Sequence, residues 1–292
     1  MNNNFLLSHK SQEPENNVLY IVGTPIGNLS DISLRALNIF RNVSLIACED
    51  TRQTRKIMSK YEFKNNLISF NKHNSNKKIP RIINDLNSGN SIALVSDAGM
   101  PSICDPGEDL IKEARSNGIK VICIPGPCAA INALVSSGLP SSKFVFEGFL
   151  PKKNSEREKI LKEISCNEKT TILFESPHRL KKLLNKLKEY CGGEREIIVS
   201  RELTKKYEEN VGNNIEEVIS YFEGIEVLGE ITIVIKGINN AMQNNIYSKL
   251  EIKQDLDELT HAGLNLSAAS KYLAKKNNLK KSIIYDMYKI TN

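Results

Sequence analysis

SIALVSDAGMPSICDPG spans residues 91–107. Its first part is a continuous apolar run; its second part is Gly, Pro, Asp and Ser. A strand buried on both faces reads as such a run, whereas a strand with one wet face alternates polar and apolar residues. The same change of texture recurs where VLYIV (18–22) runs into GTPIGNLSD, VSLIAC (43–48) into EDTRQTRK, and VICIP (121–125) into PGPCAA. LISF (67–70) reads as a shorter strand. Helical spacing fills the intervals: ISLRALNIF (32–40), with Ser30 or Asp31 as its N-cap, then 78–88, 107–117 and a small-residue helix ending near 137. This alternation predicts an α/β fold with a mostly parallel sheet covered on both faces. Ligands of such sheets bind at the carboxyl ends of strands, and the loops 23–31, 96–107 and 125–130 fall there.

GLPSSKF (138–144) breaks the pattern and marks a domain boundary. Beyond it, strands are expected near 144–147, 170–174, 196–200 and 230–235, and helices near 155–165, 177–190 and 214–223. The expected organisation is a frayed segment at 1–17, an α/β domain at 18–140, a second α/β domain at 141–238, a polar linker (INNAMQNNIYS, 238–248) and a helical tail at 249–292. The tail reads as three short helices of helix-turn-helix type. Ser267 and Ser282 fit near helix starts, and Ile283, Ile284, Met287 and Tyr288 form a stripe. Such a tail suits packing or dimerisation as well as a nucleic-acid contact.

The chain has 292 residues, 40% hydrophobic and 25% charged, which excludes wholesale disorder. The net charge of +6 is unevenly spread. Residues 51–90 carry nine Lys/Arg against Glu62 and Asp85; residues 151–190 carry eleven against six acids. Such stretches suit a polyanion, or an ordinary solvated face. There is no CxxC among the six cysteines, and Cys48, Cys123 and Cys128 sit in or beside apolar runs as buried free thiols do. With no signal-peptide or membrane-span pattern, a soluble cytoplasmic protein is expected. Walker A, GxGxxG, HExxH and GxSxG motifs are absent, which disfavours P-loop, nicotinamide, zincin and hydrolase readings. No two of the four histidines have helical ligand spacing, so no metal is expected.

The strand-end loops are small-residue and Pro-rich, which lets backbone N–H and C=O groups approach a flat, mostly neutral ligand. TPIGNLSDIS (24–33), EDTRQT (49–54), SDAGMPSICDPG (96–107), PGPCAAINAL (125–134), GLP (138–140), FEGFLP (146–151), ESPHR (175–179), RELTKKYEE (201–209) and GE (229–230) occur in that order. Together they resemble the ribosomal RNA small subunit methyltransferase I family, in the tetrapyrrole-methylase-like class of S-adenosylmethionine enzymes. The resemblance covers about 18–290. It departs at Met100, where the family usually shows Thr, and at Gly23. It implies two α/β domains with S-adenosyl-L-methionine in the cleft between them, a homodimer, and methylation of a cytidine ribose 2′-oxygen in the decoding region of small-subunit rRNA.

A ribose hydroxyl is a poor nucleophile until its proton leaves, so a base or a cation beside the acceptor would help. Glu49, Asp50 and Arg52 follow a buried strand directly and suit that task; a structural ion pair capping the next helix is the competing reading. The resemblance places Pro25, Asp97, Ala98, Gly99, Pro101, Pro125, Gly126 and Pro127 at the cofactor, with Phe149, Leu150 and Thr204 from the second domain. It places Asn28 and Asp31 near cofactor and acceptor. Arg55, Glu175, His178, Arg179, Arg201, Glu202 and Lys205 are candidate RNA contacts, or else interdomain salt bridges, and His178 is also a candidate base or a helix cap. Two other functions fit the same fold: methylation of a small tetrapyrrole, and non-catalytic binding of rRNA as an assembly factor.

Overall fold

A computed structural model describes residues 14–238, 252–276, 281, 282 and 284. Five strands, β1 (Val18–Val22), β2 (Leu45–Cys48), β3 (Leu67–Ser69), β4 (Ile92–Val95) and β5 (Lys120–Ile124), form one sheet in the order β3-β2-β4-β1-β5. Every pairing in it is parallel. Successive side chains of a strand point to opposite faces. Val18, Tyr20 and Val22 accordingly join one core with α1 (Leu34–Asn42) and α2 (Thr51–Lys60), while Leu19 and Ile21 join another with α3 (Ser75–Asn87) and α4 (Glu108–Ser116). Both faces are dry, which is why the strands read as unbroken apolar runs.

The second sheet contains β6 (Phe144–Phe149), β7 (Thr170–Glu175), β8 (Glu196–Arg201), β9 (Glu209–Asn214) and β10 (Ile231–Ile235), in the order β6-β7-β10-β8-β9. Only β6–β7 is parallel; the other pairings are antiparallel. Strand β9 (ENVGNN) escaped the sequence reading because it is a polar, half-exposed edge strand with no apolar run. Helices α6 (Asn154–Cys166), α7 (Pro177–Cys191) and α8 (Ile215–Phe222) cover one face. The opposite face receives α5 (Ala129–Ser137), whose Ala130, Ala133 and Leu134 pack on Ile172 and Val234. The helix that leaves the first sheet thus buries its apolar side on the second.

Three local expectations are corrected. The N-cap of α1 is Ser33, whose hydroxyl accepts from Ala36 N at 3.1 Å; Ser30 and Asp31 lie in a 3-10 turn, Leu29–Asp31, capped by Asn28. Cys123 is exposed rather than buried, because β5 is an edge strand paired only with β1, and Cys128 is half-buried. Cys48 and Cys191 are the buried thiols. In the tail, residues 252–261 and Leu266–Lys276 are helical, and Ile252, Leu256, Ala269, Leu273 and Ile284 share a small core. Asn265 caps the second of these helices through Ala268 N, with Ser267 one residue inside it. The linker from 239 onward, Ile283, Met287 and Tyr288 lie outside the described residues.

Candidate functional site

Strand β1 is flanked by β4 and β5, both distant in sequence, so the loops leaving these three strands meet at one edge of the sheet. Thr24 and Gly99 bridge two of them, with N–H···O bonds of 2.9 and 3.1 Å in the two directions. Gly23 N donates to Ile124 O at 3.1 Å. A Cβ on Gly126 would lie 2.7 Å from Gly23 Cα, so the two backbones approach as only glycines allow. Pro25 and Pro101 are buried beneath this junction, and Pro125 is exposed beside it.

Between the two sheets the loops wall a cavity of ≈ 380 Å³. Ile26, Ala98, Met100, Ile103 and Ala129 line it from the first domain, and Phe149, Phe174 and Ile231 from the second. Phe174 stacks obliquely on Phe149, ring centroids 5.6 Å apart. Phe149, the last residue of β6, is 55% exposed and lines the cavity, whereas Leu150, just past the strand, is 2% exposed and belongs to the second domain's core. Leu150 therefore offers the cavity no side chain. Polar handles at the rim are Asp105, Glu175, Ser176, Glu230 and Thr232. Four non-glycine residues in the bordering loops hold positive φ: Ser102 (69°), Cys104 (67°), Glu202 (54°) and Thr204 (67°). Strain of this kind persists where surrounding structure over-determines it, and it clusters at ligand sites.

Two further polar chambers lie among these loops, the first sharing Ile26, Ala98 and Glu230 with the cavity. One, of ≈ 580 Å³, is lined by Pro25, Gln53, Lys56, Asp97, Ala98, Lys205 and Glu230. The other, of ≈ 450 Å³, has Glu49, Asp50, Thr51 and Arg52 on one side and Ser69, Asn71, Lys72 and His73 on the other. Asp50 caps α2 through Arg52 N at 2.8 Å and is held by the Arg52 guanidinium at 2.6 Å. Those hydrogen bonds bring the Asp50 carboxyl down to about 2. Burial raises Glu49, and the carboxylates of Asp105 and Asp97 add to the rise against the pull of Lys72. Burial likewise raises Asp97 and Asp105, the former although its carboxylate accepts from Asp50 N at 2.9 Å. Of the three residues Glu49, Asp50 and Arg52, the last two pair with each other, and Glu49 keeps a basic carboxylate facing a cavity.

The second domain's charges are mostly paired. Arg179 binds the buried Glu175 at 2.6 Å. Arg201 binds Glu209 at 2.5 Å. Lys205 lies between Glu202 at 2.7 Å and Glu230 at 3.2 Å. Arg55 and His178 are exposed. Thr204 ties the domains together, its hydroxyl accepting from Asn28 N at 3.1 Å. Asp31, Pro127 and Thr204 line a third small cavity, of ≈ 430 Å³. The sequence reading misses Cys104, Asp105 and a role for the 229–232 edge, although GE is among its motifs; Glu175, which it offers as an RNA or acceptor contact, is buried in the cavity wall. The reading also misses Lys72, which has no motif around it.

The tetrapyrrole (corrin/porphyrin) methylase family matches residues 18–219. Solved structures of similar fold include uroporphyrin-III C-methyltransferase from Thermus thermophilus (18% identical, TM-score 0.53, 75% of this chain and 94% of that one). Cobalt precorrin-4 methyltransferase is another (14%, TM-score 0.57, 75% and 95%). In sequence the chain is far more similar to proteins named ribosomal RNA small subunit methyltransferase I. That of Bacillus subtilis is 40% identical over 276 residues, 94% of each chain. That of Thermotoga maritima is 47% identical over 219 residues, 75% of this chain and 98% of its own. That of Vibrio cholerae is 42% identical over 270 residues. Two α/β layers meeting at a small-residue cleft, with likeness of this depth along the chain, make it a member of the tetrapyrrole methylase family and, within it, of the ribosomal RNA small subunit methyltransferase I family.

Proposed function

We propose that the protein transfers a methyl group from S-adenosyl-L-methionine to the ribose 2′-oxygen of a cytidine in the decoding region of small-subunit rRNA. The observation that carries this is the near full-length likeness to proteins bearing the rRNA methyltransferase name; the fold neighbours of the class act, by name, on uroporphyrin-III and cobalt precorrin-4.

The cleft fits the cofactor. Its ≈ 380 Å³ lies in the range of small-molecule sites. Its apolar walls suit a purine, the Gly23–Gly126 cradle admits no added Cβ, and the carboxylates of Asp97, Asp105 and Glu230 suit a ligand with a cationic sulfur and an ammonium group. The uroporphyrin enzyme of Thermus thermophilus has itself been solved with S-adenosylhomocysteine. Bound there, the cofactor supplies a methyl group already activated on positive sulfur, which departs as a neutral thioether. Phe149 and Phe174 exclude water from one side of the cavity. The loops at 23–31 and 96–107 hold the donor, and catalysis is chiefly alignment. Glu49 takes the proton that the 2′-oxygen releases as the oxygen–carbon bond forms. Its raised pKa brings its basicity closer to working pH. The basic stretch at 51–90 supplies phosphate contacts. The working form is a cytoplasmic homodimer; no helix of the described residues is long and apolar enough to cross a membrane.

The test is incubation with methyl-labelled S-adenosylmethionine and small subunits from a strain lacking the modification, then nucleoside digestion and mass spectrometry. Label on a ribose-methylated cytidine supports the assignment. Cofactor binding without label on subunits or naked rRNA rejects it and favours a tetrapyrrole acceptor.

A further inference from the structure

The turn between β3 and α3, Ser69 to Asn74, has no assigned role. It is locked by its own side chains. Ser69 Oγ accepts from Nδ2 of Asn71 and of Asn74, each at 3.3 Å. Asn71 Oδ1 accepts from His73 N at 3.0 Å, and Asn74 Oδ1 from Asn71 N at 2.9 Å. Short amides that bond their own backbone set a turn before any ligand arrives. The turn carries Lys72 to the wall of the ≈ 450 Å³ chamber that faces Glu49. Lys72 Nζ donates to the carbonyl of Cys104 at 3.0 Å, in the strained loop that also lines the cofactor cavity. That neutral oxygen is its one hydrogen-bond partner among the described residues, so the ammonium has further N–H donors to offer. Lys72, the Glu49 carboxylate, the Asn71 amide and the Ser69 hydroxyl around one polar chamber, tied to the donor cavity through the Cys104 carbonyl, match the parts of a nucleotide: a phosphate oxygen and a ribose hydroxyl.

We propose that this chamber seats the acceptor nucleotide, with Lys72 holding the phosphate next to the reacting ribose and thereby positioning its hydroxyl against Glu49. The proposal rests on the RNA reading above, but its test does not need turnover. Cytidine 3′,5′-bisphosphate is titrated by calorimetry into protein saturated with S-adenosylhomocysteine, with unphosphorylated cytidine as the comparison. Lys72→Ala should weaken the bisphosphate at least about tenfold, the scale of one charged hydrogen bond. Lys72→Arg should restore most of it. Lys112→Ala, on an exposed face of α4, and the affinity of Lys72→Ala for S-adenosylhomocysteine should stay within about threefold of wild type, on the same scale. On subunits, Lys72→Ala should raise KM more than it lowers kcat. Equal losses for Lys72→Ala and Lys112→Ala, or wild-type binding no better for the bisphosphate than for cytidine, overturns the subsite. Methylated subunits together with that result leave the rRNA reading standing; the expected binding pattern with unmethylated subunits leaves the nucleotide site standing and removes the rRNA reading.

Discussion

Glu49 and Asp50 are adjacent carboxylates with opposite fates. The Arg52 fork and a helix N-terminus hold Asp50 ionised, while burial beside Asp105 and Asp97 makes Glu49 the better proton acceptor. Glu49→Gln should lower kcat by about 10²–10⁴, the usual worth of a general base, with cofactor affinity nearly kept. Wild-type activity should fall on acidification at a pH above that of an unperturbed glutamate, and the variant should lack that limb; a shared profile would move the base elsewhere. Asp105 makes a stability prediction. Its carboxyl is raised in the folded protein, chiefly by burial. Such a group costs no stability below its unfolded pKa of about 3.9, where both states are protonated, and its full penalty is present above the folded value. Asp105→Asn should therefore melt at a higher temperature than wild type at pH 7.5, the gap closing toward pH 4, and should bind the cationic cofactor less well. A lower melting temperature at pH 7.5 would show that the Ser96 hydrogen bond and the attraction of Lys72 together outweigh the burial.

At the scale of elements, the site depends on loops that touch because their strands are neighbours. Gly126→Ala places a methyl 2.7 Å from Gly23 Cα, backbone against backbone, with no flexible side chain to yield. Overpacking of this kind costs about 1–3 kcal/mol. The loop after β5 must then move off the loop after β1, so S-adenosylhomocysteine affinity should fall together with the melting temperature. Unchanged calorimetry would mean that this junction does not shape the cofactor cavity. Strand β6 teaches a related point. FEGFLP announces a strand end, but only the folded backbone decides that Phe149 faces the cleft and Leu150 the core.

For the whole molecule, the cleft is framed by direct links between the domains: Asn28 to Thr204, the close fits of Gly27 against Lys205 and of Gly148 against Cys104, and α5 packed across the second sheet. Basic charge gathers on 51–90, so affinity for an rRNA fragment should fall steeply between 50 and 200 mM salt, with a log–log slope of about −0.7 for each phosphate neutralised on a single strand. A salt-independent gel shift would dismiss that stretch as the RNA face. Light scattering should give twice the 32.8 kDa chain mass if the homodimer reading holds.

The first sheet was readable without coordinates, because strands dry on both faces must be continuously apolar and their loops must carry the turn residues. The meeting of the loops after β1 and β5 was readable for the same reason, since close backbone approach demands Gly and Pro. Strand β9 was not, because an edge strand can be polar. The separation of Asp50 from Glu49, the burial of Glu175, the turning-away of Leu150 and the meeting of Lys72 with the Cys104 carbonyl were decided only in three dimensions. Each depends on which residues, far apart in the chain, come to share one patch of low dielectric, and local pattern carries no information about that encounter.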